Sequence, residues 1–164
     1  MTLDNLKDLY LEQLRDLYNA EGQLTSALSE MAGQASHNQL KTAFQEHLEQ
    51  TRNHKKRLQQ VFDDLGETSG GEKCEAMEGL IEEAKGLMKK DMKADVLDAA
   101  LIASAQRVEH YEIAAYGTVC TYAEQLDRRD DHDLLGQTLE EEKETDGKLT
   151  RLAEQVVNPE AATA

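Results

Sequence analysis

Gly66-Glu67-Thr68-Ser69-Gly70-Gly71-Glu72-Lys73-Cys74-Glu75-Ala76-Met77-Glu78-Gly79-Leu80-Ile81-Glu82-Glu83-Ala84-Lys85-Gly86-Leu87-Met88 is the stretch that decides how this chain folds. Thr68-Ser69-Gly70-Gly71 is a loop signal, and beyond it Met77, Ile81, Ala84 and Met88 share one face at helical spacing. A short helix from Cys74 to Met88, set inside a long connection, is therefore expected.

Long helical stripes flank that connection. Upstream, Leu3, Leu6, Tyr10, Leu14, Leu17, Glu21, Leu24, Leu28 and Met31 recur every three or four residues and predict a helix ending near Gly33. Ser36-His37-Asn38-Gln39 has the Ser-x-x-Gln form of a capping box, so a second helix is expected to start there. It carries Leu40, Phe44, His47, Thr51, His54, Leu58 and Val61 and stops at Leu65-Gly66. Downstream, Asp95 is the expected cap of a third long helix, with Leu97, Leu101, Ala105, Val108, Glu112, Ala115 and Val119 inward, running to about Leu126. After the turn Arg128-Arg129-Asp130-Asp131, a fourth presents Leu135, Leu139, Glu142, Asp146, Leu149, Ala153 and Val156 and fades before Asn158-Pro159. Two short-turn hairpins joined by one long crossover is the topology of a ferritin-like four-helix bundle. The expectation is an all-α domain over residues 1–158, with a short additional helix in the crossover and a disordered tail at 159–164. A coiled-coil rod competes, but the Gly-rich crossover interrupts the continuous heptads it needs.

Composition agrees with a single helical domain: 164 residues, one Pro, no Trp and two Phe favour helix over strand. A net charge of −15 leaves no basic surface for a phosphate backbone or an anionic membrane. The start Met1-Thr2-Leu3-Asp4-Asn5-Leu6-Lys7 lacks the features of a signal peptide, so a cytoplasmic protein is expected. Cys74 and Cys120 have no metal-finger spacing and read as buried, reduced thiols.

The anomaly is that these apolar faces carry groups that are costly to bury alone. An unpaired carboxylate inside a protein neutralises, pairs or binds a metal. At about 100° per residue, Glu21, Glu112, Glu142 and Asp146 fall on inward arcs, as do His47 and His54, with Gln50 and Glu109 on the flanks. Glu49, His110, Glu141 and Glu144 point outward by the same count. With turns centred near residues 34–35 and 129–130, Glu21 reflects to about position 48 beside His47 and Gln50, and Glu112 to about position 147 beside Asp146. Carboxylate oxygen and imidazole nitrogen suit iron or manganese, and helical cores that bind two such ions take ligands from all four helices. The expected metal ligands are Glu21, His47, His54, Glu112, Glu142 and Asp146, with Gln50 and Glu109 as additional partners. A hydrogen-bonded acid and histidine network without metal is the alternative. Tyr10, Tyr18, Tyr111, Tyr116 and Tyr122 read as packing aromatics with a polar end.

Five strings carry a family resemblance: Tyr18-Asn19-Ala20-Glu21-Gly22-Gln23-Leu24, His47-Leu48-Glu49-Gln50-Thr51, Ala76-Met77-Glu78-Gly79-Leu80-Ile81-Glu82-Glu83-Ala84, Val108-Glu109-His110-Tyr111-Glu112-Ile113-Ala114 and Glu140-Glu141-Glu142-Lys143-Glu144-Thr145-Asp146. Together they resemble the YciF/YciE-type branch of ferritin-like proteins across nearly the whole chain. The resemblance implies a bacterial, stress-associated four-helix protein, a homodimer, with a dinuclear metal site and no established reaction. Two departures stand out. Ferritin-like di-iron sites carry Glu-x-x-His on two helices, and this chain has neither copy; position 50 is Gln, an amide that cannot bridge two cations as a carboxylate does. One or two ions are therefore expected, acting on oxygen or peroxide or handling metal. The competing expectation is a non-catalytic interaction module whose polar core fixes helix register.

Overall fold

A computed structural model describes residues 3–164, so Met1 and Thr2, counted in the expected domain, lie outside the described residues. Every regular element among the described residues is helical: α1 Leu6–Gln34, α2 Asn38–Leu65, α3 Glu75–Met88, α4 Ala94–Gln125, α5 Arg129–Leu152, a π-helical turn Ala153–Val157 and α6 Asn158–Thr163. None is long and apolar enough to cross a membrane.

The helix starts differ from the sequence expectations because groups other than those expected meet the free N–H groups there. Asn5 caps α1, its side chain accepting from the Asp8 N–H at 3.0 Å, and Leu3 ahead of it is exposed rather than part of the stripe. The capping box at Ser36 does not form. Buried Asp98 of α4 takes the Ser36 N–H at 2.9 Å, the Ser36 hydroxyl at 2.6 Å and the His37 N–H at 2.8 Å, and the His37 ring instead accepts from the Gln39 N–H. Lys93, not Asp95, occupies the cap position of α4, leaving Asp95 in its first turn, where a negative charge suits the helix dipole. Cys74 caps α3 through its sulfur, which accepts from the Met77 N–H. The expected tail is helical: the π-helical turn adds a residue, returning Val157 rather than Val156 to the core, and Pro159 sits in the first turn of α6, where it needs no N–H donor.

Turns of three residues join α1 to α2 and α4 to α5, α1 also packs on α4, and α2 packs on α5. The crossover helix α3 lies against α1 and α4. The apolar core is divided in two. Leu24, Leu28, Leu40, Phe44, Met77 and Leu101 fill one half, and Leu14, Leu58, Phe62, Val119 and Leu135 fill the other. On each long helix the residues between the halves are polar and buried.

Candidate metal centre

Four helices supply the intermediate layer: Glu21 from α1, His47, Thr51 and His54 from α2, Glu109, Glu112 and Tyr116 from α4, and Glu142 from α5. None is more than 2% exposed. His54 Nδ1 lies 2.9 Å from Glu142 Oε1 and 3.4 Å from Glu21 Oε1. His47 Nε2 lies 3.0 Å from Glu109 Oε1 and 3.8 Å from Glu142 Oε2. Tyr116 donates its hydroxyl to Glu21. Two groups therefore have ligand atoms mutually within 4.8 Å: His47, Glu109, Glu112 and Glu142, and Glu21, His54 and Glu142. Glu142 belongs to both. Both Glu112 oxygens, Oε2 of Glu21 and of Glu109, and the Thr51 hydroxyl are buried without a hydrogen bond, which is uncommon inside proteins.

The electrostatics follow from burial. Loss of water raises Glu109 from 4.5 to about 8 and Glu142 to about 7, and it raises Glu21 and, more strongly, Glu112, which also faces the charge of Glu142. Burial lowers His47. It would lower His54 too, but hydrogen bonds and charge from Glu142 and Glu21 outweigh it and push that ring to about 10. Burial and the neighbouring Glu21 raise Tyr116.

Of the expected ligands, Glu21, His47, His54, Glu112 and Glu142 come together, and Glu109 joins them from its flank position. Asp146 does not. The buried row of α5 is Leu135, Thr138, Glu142, Thr145 and Leu149, so Asp146 stands one step around the helix, half-buried, accepting from Gln106 at 3.0 Å and 3.4 Å from His110. Gln50 is half-buried against His47, its oxygen 3.4 Å from the Thr145 hydroxyl. Glu49, His110 and Glu144 are exposed, as expected. Glu141 is not simply outward: its Oε2 reaches His54 Nε2 at 2.8 Å while both its oxygens accept from Arg57, whose hydrogen bonds lower its pKa. Tyr116, expected only to pack, lies one turn after Glu112 on the same face, a spacing that marks it; no periodicity marks Glu141, which bends back from its helix flank. Both cysteines are free and buried.

Known proteins share this arrangement's fold and much of its sequence. The domain of unknown function DUF892 matches residues 5–162. Protein YciF of Escherichia coli (strain K12) is 49% identical over 162 residues, 98% of each chain. The crystal structure of the E. coli stress protein YciF superposes with a TM-score of 0.91, covering 95% of this chain and 99% of that one. YcfI of Rhodopseudomonas palustris gives a TM-score of 0.88 at 43% identity, covering 92% and 97%. A Xanthomonas campestris protein at 18% identity, with a TM-score of 0.77, shares the fold. A domain match over nearly every residue and near-half identity to YciF from end to end make this chain a member of the DUF892 family, of the YciF type.

Proposed function

We propose that this chain is a ferritin-like, stress-associated four-helix bundle whose polar layer binds two iron or manganese ions. The observation that carries this reading is the pair of ligand-spaced groups meeting at Glu142 between two apolar half-cores. The donor set fits: four carboxylates, Glu21, Glu109, Glu112 and Glu142, balance the charge of two divalent cations, and His47 and His54 add neutral nitrogen. Glu109 supplies the charge that Gln50 lacks. Iron or manganese would bring redox chemistry toward oxygen or peroxide. Glu141 holds His54 through Nε2 and leaves Nδ1 facing Glu21 and Glu142. Tyr116 steadies Glu21, and the apolar halves exclude water.

Metal analysis of protein produced with added iron or manganese tests this. About two equivalents are expected, reduced in Glu21→Ala and lost in Glu142→Ala. Less than about a tenth of an equivalent in the unaltered chain would remove the reading.

A metal-free polar core is the second reading, favoured by the contacts of His54 with Glu142 and of His47 with Glu109, in which each ring meets an acid. It expects Glu142→Leu to be as stable or more so, and manganese to leave the unfolding midpoint of the unaltered chain unmoved. A homodimer belongs to the first proposal, and sedimentation velocity checks it.

A further inference from the structure

The polar layer is closed on nearly every side by helix packing, so an ion must reach it past a side chain that moves. A cleft of about 200 Å³ opens between α2 and α5, lined by Ala43, Gln50 and Thr145 with Glu46, Glu144 and Lys148 at its edge. Gln50 and Thr145 meet across it, hydroxyl to amide oxygen at 3.4 Å. Gln50 also lies against His47, whose Nε2 faces Glu109 and Glu142. One amide thus separates the cleft from the His47 group.

The 3.4 Å contact is long for an O–H···O hydrogen bond, so the Thr145 hydroxyl holds this amide only weakly. A neutral carbonyl oxygen can coordinate a divalent cation in passing without the charge needed to retain it. The opposite face is less suited. Its cleft between α1 and α2 sets Arg52, Lys55 and Lys56 against the single acid Glu49, and the Lys55 ammonium sits 4.8 Å above the Tyr18 ring. At the α2–α5 cleft, Glu46 pairs with Lys148, and the exposed Glu144 stands with Arg151.

We infer that the Gln50–Thr145 contact is a gate through which divalent cations pass from the α2–α5 cleft to the His47 group. This rests on the metal-binding proposal above.

Stopped-flow uptake of cobalt(II), followed by its visible absorption, tests it. Opening the gate with Thr145→Ala, which removes the hydroxyl and leaves the neighbour of His47 in place, should raise the rates of uptake and of release to a chelator by the same factor, at least about threefold. The dissociation constant and spectrum should stay unchanged, because a gate alters barriers and not end states. Gln50→Leu should slow both. Full occupancy with unaltered rates in both variants overturns the gate alone. A changed spectrum or affinity in Thr145→Ala also overturns it, by tying Thr145 to the bound ion and not to its passage. No cobalt bound by the unaltered chain removes the metal-binding proposal and the gate with it. Circular dichroism on each variant confirms that the rates compare folded proteins.

Discussion

Glu141 is about 29% exposed at its side chain, yet it contacts the fully buried His54, with Arg57 bonded to the same carboxylate. The pair works as a brace. Arg57 keeps Glu141 ionised, and Glu141 holds the Nε2 proton of His54, so that Nδ1 is the nitrogen a metal would deprotonate. Changing such an outer partner of a ligating histidine costs about 10- to 100-fold in metal affinity. Glu141→Gln should therefore weaken manganese binding by about that factor with little change in fold, read by calorimetric titration and circular dichroism. Sequence reasoning could not see this brace, because it depends on a side chain bending around its helix. It could see Glu21, Glu112, Glu142 and both histidines, because buried charge breaks an apolar stripe in a way that periodicity exposes.

At the level of helices, Asp146 lies apart from the other expected ligands for two reasons: it stands one step around α5 from the buried row, and the turn centres read from the sequence shift the expected levels. Levels in an antiparallel pair are found by reflection, so a misplaced turn centre is doubled on the far helix. The first turn spans residues 35–37, which places Glu21 level with Thr51, between His47 and His54. The second spans residues 126–128, with Asp127 at φ 56°, and places Glu112 level with Glu142, one turn before Asp146. The stripes located the helices well; the exact turn residues depend on side chains such as Asp98 that lie far away in sequence. Asp98 ties the first turn to α4 through three hydrogen bonds. Asp98→Ala strands those donors and should cost about 2 kcal/mol of stability, measured by urea unfolding.

At the scale of the molecule, the buried layer links stability to pH. Glu109 and Glu142, raised by burial to about 8 and about 7, and His54, raised by its acid partners to about 10, hold protons in the folded state that the unfolded chain has released. Between pH 6.5 and 8 the folded state thus binds more protons than the unfolded one, so stability falls as pH rises. His47, lowered by burial, opposes this mainly below 6.5, where the unfolded ring takes up a proton. Metal-free protein, prepared with a chelator, should show a urea midpoint that drops across that window. Saturating manganese should flatten or reverse the trend, because metal replaces those protons. Loading at pH 7 should likewise release protons, detectable as a drift in a weakly buffered solution.

The carboxylate common to both groups carries this further. If the layer binds two ions as proposed, the first would displace the proton of Glu142 and orient it, so the second would meet a ligand already prepared but also a neighbouring positive charge. Two such sites would be thermodynamically linked: occupancy of one would set the affinity of the other, and the balance of preparation against repulsion would decide whether the protein fills over a narrow or a broad range of free metal.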